Sequence, residues 1–417
     1  MAVARLNVDV FAIVCDFLTD VSDILSFALT CSTLHPIAIR RLLSMRPIYL
    51  PGSASIRRFH SFVFADKLAR ARHVRALEIG TRRRPRRFPE ATPADDDSLL
   101  IDILKLCPHL ERVSVVLRGS DASPQRKDDS RLPHVIAGIR SVRSLGISGE
   151  LADPVAFFHQ ICAPIRMLGI HCSNPRGRSW SPASLEGFLP LFASSLEELE
   201  LNSFRSDPKE RPSPWSVFST AQYPAIHSFY VTEYQGMPSL DHLQHLFPGL
   251  DGTLALSLFG VWTEEHTFAG VRTTHQRAQD SNRDRPSSRV WSKLARVVCS
   301  VHMFFVLGLR CPIGLVMIDN ATRYNKRYLV PALRENPVPR LKLSLMLYRG
   351  LDLFDDLFPP ELGDVLTHLT LFCVDDPYDM VEAAPARRRW DDILVRACAS
   401  TCPQAFSPAT FSASVRT

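Results

Sequence analysis

A short run of alternating apolar residues recurs along this chain and limits what it can fold into. The runs are VRALEIG (74–80), LERVSVVL (110–117), VRSLGISG (142–149), IRMLGIHC (165–172), LEELELNS (196–203), IHSFYVTE (226–233) and LALSLFG (254–260). Later runs, broken by insertions, are VHMFFVLG (301–308), LKLSLMLY (341–348) and LTHLTLFC (366–373). Alternation sends every second side chain to one face, as at Leu199 and Leu201, so each run reads as a half-buried strand. Helical patterns lie between them, clearest in DSLLIDILKLCPHL (97–110) and SLEGFLPLFASSL (184–196). One strand and one helix cannot bury their own apolar faces, so successive units must stack. The pattern predicts an α/β chain whose residues 74–417 form an irregular repeat solenoid, joined by linker helices at 47–73 to a separate N-terminal unit. The competing reading is an irregular α/β domain with a mixed sheet.

Three segments break the rhythm and are expected to be loops: 81–97, 118–131 and 273–289. The first carries Arg82, Arg83, Arg84, Arg86 and Arg87, followed by Asp95, Asp96 and Asp97. Such a cluster suits a nuclear-import signal or a phosphate contact, or a solvated loop facing its own aspartates. No aromatic residues are interleaved to stack bases, so nucleic acid is the less favoured partner. Arginine is abundant everywhere: 49 basic residues less seven lysines leave 42, and the net charge is only +6.

The chemistry of common enzymes is missing. The chain has no G-x-S-x-G, G-x-x-x-x-G-K-[ST], H-E-x-x-H or G-x-G-x-x-G motif. Its ten cysteines form no C-x-x-C pair, which points to reduced thiols in an intracellular protein and to no metal. His171 and Cys172 are adjacent in a strand-like run, where they must face opposite ways. No cofactor and no catalytic residue are expected. The start, MAVARLNVDVF, contains Asp9 and lacks the apolar core of a secretory signal. Val297–Ile318 carries a single charge, Arg310, but Gly308, Pro312 and Gly314 break it, so buried strands are expected there and no membrane span.

The first fifty residues have a different character. VDVFAIVCDFL (8–18) is apolar except at Asp9 and Asp16, so a helix here is greasy nearly all round and needs cover from two sides. Asn7 suits its N-cap. Asp20 or Ser22 can cap a second helix with Ile24, Leu25, Ala28 and Leu29 on its apolar face, and Cys31-Ser32-Thr33 breaks it. A third helix starts near Leu34 with Pro36 in its first turn, Arg40 and Arg41 facing solvent, and Pro47 beyond its end.

The spacing of these residues resembles the F-box. Leu6, Asp9, Val10, Phe11, Val14, Phe17 and Leu18 match its first block. Asp23, Ile24, Leu25, Phe27, Thr30 and Cys31 match its second, with Leu34 following. The family's proline is Asn7 here, and the tryptophan common near the motif's end is missing. The phrases LCPHLERVSV and SSLEELEL resemble the leucine-rich repeats that follow F-boxes in many fungal and animal proteins. The resemblance implies a three-helix F-box at 1–46 and a substrate receptor of an SCF-type ubiquitin ligase, cytoplasmic or nuclear. Its adaptor-binding residues would be Leu6, Val10, Phe11, Val14, Phe17, Leu18, Ile24, Leu25, Leu29 and Leu34, docking on a Skp-type adaptor and through it a cullin. The repeats would hold a target protein. The main rival is a nuclear scaffold or nucleic-acid binder using the Arg loop; a hydrolase assembled from distant residues is a third reading.

Overall fold

A computed structural model describes residues 7–66, 69–80, 93–117, 131–149, 151, 153–172, 179–205, 221–258, 276–280, 282, 291–322, 324–347, 353–375 and 411–415. The chain divides into two units, Met1–Arg178 and Ser179–Thr417.

The first unit opens with α1 (Val8–Phe17), α2 (Val21–Thr30) and α3 (Leu34–Met45). Strands β1 (Ile48–Leu50), β2 (Ala76–Ile79), β3 (Arg112–Leu117), β4 (Ser144–Gly149) and β5 (Met167–Cys172) follow. Each pairs in parallel with the next, in sequence order. Helices α4 (Ser53–Phe64), α5 (Pro93–Leu106), α6 (Leu132–Ala137) and α7 (Pro154–His159) connect them and pack side by side. A strand order that only advances, with right-handed crossovers, puts every connecting helix on the same face of the sheet. Burial agrees: Leu77, Ile79, Val113, Val115, Leu145, Ile147, Leu168 and Ile170 are buried, and the residues between them are more open.

The second unit repeats the scheme with β6 (Glu198–Phe204), β7 (Ser228–Tyr234), β8 (Thr253–Leu258), β9 (Arg296–Ser300), β10 (Val316–Ala321), β11 (Arg340–Leu347), β12 (His368–Asp375) and β13 (Phe411–Val415). All pair in parallel and in sequence order. Its helices include α8 (Pro182–Glu186), α9 (Leu240–Leu246), α10 (Val301–Leu307), α11 (Lys326–Glu335) and α12 (Pro360–Gly363).

One short pattern underlies both units. A buried residue enters most repeats, and two further buried residues follow three and five positions later; at β8 the spacing is four and six, Leu250/Leu254/Leu256. Examples are Val74/Leu77/Ile79, Leu110/Val113/Val115, Leu196/Leu199/Leu201 and Val338/Leu341/Leu343. The residue after the entry position gives its carbonyl to the next repeat. Arg75 O accepts from both Glu111 N (2.8 Å) and Arg112 N (3.0 Å), and Glu197 O accepts from His227 N and Ser228 N. The entry of each strand is thereby set by the one before it. The predicted α/β class holds, and the parallel pairing within each unit replaces the mixed-sheet alternative.

Several sequence expectations need correction. VHMFFVLG is a helix, α10, and not a strand. Ser300 Oγ accepts from Met303 N at its start, Gly308 ends it with φ 52°, and its all-round apolar sequence suits a helix buried on every side. The expected helix at 184–196 breaks into α8 and a 3₁₀ turn at Leu189–Phe192, because Gly187 and Pro190 interrupt it. The linker at 47–73 contains α4 but also the strand β1. Residues 93–97 of the first expected loop belong to α5, and 81–92 lie outside the described residues. In the second, 118–130 also lie outside. In the third, 276–280 are helical and Asn282 is buried. The Asn282 amide nitrogen donates to Val306 O (2.8 Å) and its oxygen accepts from Leu240 N (3.1 Å), which fastens that segment between α9 and α10.

Candidate functional site

The three N-terminal helices form around local signals. The Asn7 side chain accepts from Asp9 N at 3.2 Å and caps α1. Its φ of −64° is also the angle a proline would impose, so the backbone enters α1 as it would with proline at this position. Asp20 caps α2, accepting from Ser22 N and Ser22 Oγ, both at 3.0 Å. Those bonds, the backbone one first, hold the Asp20 carboxyl below its usual range. Cys15, Ile24, Ala28 and Ala38 make a small core, flanked by Leu18, Phe27, Ile37, Leu42 and Met45. Arg41 and Arg46 of α3 donate to Leu18 O (3.4 Å) and Thr19 O (3.1 Å), closing the carbonyl end of α1. Arg41 was expected to face solvent; the Leu18 carbonyl draws it in to a half-buried position, while Arg40 is exposed as expected.

This core uses only half of the apolar surface. On α1, Phe11, Cys15 and Leu18 turn inward at i, i+4 and i+7, and the rings of Phe11 and Phe27 lie 6.5 Å apart. Val10, Ile13, Val14 and Phe17, at i, i+3, i+4 and i+7, form a second stripe on the opposite side. All four are exposed, Ile13 at 58% and Phe17 at 79%. On α2, Ile24, Phe27 and Ala28 face inward, while Leu25 and Leu29 are exposed, Leu29 at 84%. Large apolar side chains placed at helical spacing on a surface mark an interaction face.

The structure therefore sorts the ten residues expected to bind an adaptor. Val10, Val14, Phe17, Leu25 and Leu29 are outward and accessible. Phe11 and Leu18 are half-buried. Ile24 and Leu34 are buried, Ile24 within the small core, so neither presents its side chain on the surface. Leu6 lies outside the described residues, as do Arg82, Arg83, Arg84, Arg86 and Arg87. Sequence reasoning missed Ile13. Its place in the i, i+3, i+4, i+7 set beginning at Val10 was the available signal.

Of the described cysteines only Cys31 and Cys162 are exposed; the others are buried. Burial pushes the thiol of Cys107 up to about 12, and those of Cys172 and Cys311 to about 11. Burial raises Cys299 as well, helped by the neighbouring charge of Asp319. Such thiols stay protonated and are poor nucleophiles and poor ligands. Cys172 is buried and its neighbour His171 is half-exposed, the opposite-facing arrangement expected of a strand. No cluster of three or more His, Cys, Asp or Glu residues able to hold a metal forms among the described residues. No described helix is long and apolar enough to cross a membrane. No protein-family model matches the chain, and no curated protein matches its sequence.

Proposed function

We propose that the chain is the substrate-recognition subunit of an SCF-type ubiquitin ligase, with α1 and α2 docking on a Skp-type adaptor and the strand–helix repeats holding a target protein. The observation that carries this reading is the exposed apolar stripe Val10, Ile13, Val14 and Phe17, together with Leu25 and Leu29. It lies within the residues whose spacing resembles an F-box. A ten-residue helix that places one apolar stripe in a core and another in water is built to bury the second against something else. The i, i+3, i+5 burial of most repeats supports a leucine-rich-repeat-like solenoid. A receptor of this kind needs no catalytic group of its own; it raises the effective concentration of target lysines near a cullin-bound conjugating enzyme. Cytoplasm and nucleus are the compartments where it would act.

Co-purification with the Skp-type adaptor of its own cell tests the reading. Val14→Asp/Leu25→Asp, both at exposed positions, should abolish co-purification while the chain stays folded. Failure of the unaltered full-length chain to bind any adaptor would remove the proposal.

A further inference from the structure

The strand-entry edge of the first unit carries an unusual charge pattern. The residues that follow the buried entry position in successive repeats are Arg75, Glu111, Arg143 and Arg166, linked by Glu111 N to Arg75 O (2.8 Å), Arg143 N to Glu111 O (2.8 Å) and Arg166 N to Arg143 O (2.7 Å). They stand one strand apart, about 4.8 Å each. Arg112, at the next position of β3, and Arg140, in the turn before β4, add to the same edge. Arg72, His73 and His109 lie at its near end, with Arg40 of α3 close by. Burial and then the charges of Arg72, Arg40, Arg75 and His109 depress the titration of His73. Glu111 is the acid in the row, and it is taken by Arg75 at 3.1 Å. Arg112, Arg140 and Arg143 are exposed and make no ion pair with the described residues.

General arginine richness does not explain this edge. The same position in the second unit holds Glu197, His227, Gly252, Ala295, Gly314, Pro339 and Thr367, with Arg296 and Arg340 in the place of Arg112, and there His227 bonds Asp251 at 3.0 Å. One chain with one composition places arginines at this position in one unit and acids or neutral residues in the other. Like charges on adjacent strands repel, so clustering them has a cost that an anionic partner would offset.

We propose that the strand-entry edge of the first unit, centred on Arg112, Arg140 and Arg143, docks an acidic, Asp/Glu-rich polypeptide segment. The order of charge along the row is positive, negative, positive, positive. A nucleic-acid backbone, negative at every unit, has no neutral unit to set opposite the Arg75–Glu111 pair. A polypeptide can set a neutral or basic residue opposite Glu111 and carboxylates opposite the arginines, whose guanidinium forks bind carboxylates in pairs of hydrogen bonds. This inference goes beyond the adaptor reading: it concerns the sheet edge, away from the α1 and α2 stripes, and needs no adaptor.

The test uses full-length protein and a fluorescein-labelled Glu-Gly repeat peptide, read by anisotropy at low salt, beside a labelled oligothymidylate of equal charge. The peptide should bind, more weakly as salt rises. Arg140→Gln/Arg143→Gln should weaken it about tenfold, and Arg310→Gln, an exposed arginine of the second unit, should leave it unchanged. If the double variant loses its circular dichroism signal, Arg112→Gln is read instead and should weaken binding in the same direction. No peptide binding, an equal loss in Arg310→Gln, or tighter binding of the oligothymidylate would each overturn the proposal, whatever the adaptor experiment shows.

Discussion

Replacing Phe17 and Leu29 by lysine separates interface from core most sharply. Phe17 is 79% exposed, and a phenylalanine side chain offers about 200 Å², so about 160 Å² awaits cover. At about 25 cal/mol per Å² that burial is worth about 4 kcal/mol, and Leu29, 84% exposed, adds about 2 kcal/mol. Orienting and desolvating the partners consumes part of this, but even half of the sum is about two decades of affinity. Phe17→Lys/Leu29→Lys should therefore weaken adaptor binding at least about 100-fold by calorimetry. The folded chain should barely notice. Both residues sit in the last turn of a helix, where a cation interacts favourably with the helix dipole, and neither lies in the small core. The thermal midpoint should stay within about 2 °C. Ile24→Ala, by contrast, removes a fully buried side chain and should cost about 2–5 kcal/mol of stability. A lysine double variant that melts much earlier, or one that binds the adaptor unchanged, would refute the division into inner and outer stripes.

Two further outcomes follow from the geometry. Gly149 has φ +94°, and an added Cβ would overlap the Leu117 carbonyl, so Gly149→Ala should destabilise the first unit by at least about 2 kcal/mol in denaturant titration. At pH 8 a thiol reagent should modify exposed Cys31 and Cys162 first. Cys107, Cys172 and Cys311, whose thiolates form only above about 11, should react when the chain is unfolded, as mass spectrometry would show; early labelling of Cys172 would contradict its burial.

Much of the sheet was legible because a strand with one open face alternates. The runs from VRALEIG to LALSLFG each contain or overlap, to within one residue, the strand found there. α10 was misread because VHMFFVL is apolar except at His302 and has no period to read; only Ser300 and Gly308, the two caps, mark the change from β9. β1 escaped notice because it is three residues long and lies between Pro47 and Pro51. In the candidate site, the excess of apolar residues on α1 was plain, but its division was not. With only Asp9 and Asp16 polar, the sequence does not say whether Leu18 belongs with Val14 or with Cys15; the position of α3 decides. The basic edge was invisible for another reason. Arg75, Arg112, Arg143 and Arg166 are far apart in sequence and become neighbours only through strand pairing.

The doubly used carbonyls have a consequence for how such a chain can change. Because Arg75 O fixes the start of β3 and Glu111 O the start of β4, the entry side of the first unit's sheet acts as a ruler with one spacing; in the second unit β8 takes one extra residue there, Leu250 standing four positions before Leu254. The exit side has no such constraint. From the end of β3 at Leu117 the chain runs on to Leu132 before α6 begins, yet α6 ends at Ala137 and β4 starts at Ser144. The long stretches after β2, β6, β8 and β12 also leave from strand ends. Growth in length is channelled to one rim, where new surface can be added without re-registering a single strand, while the opposite rim keeps its spacing and with it any pattern of charge displayed there.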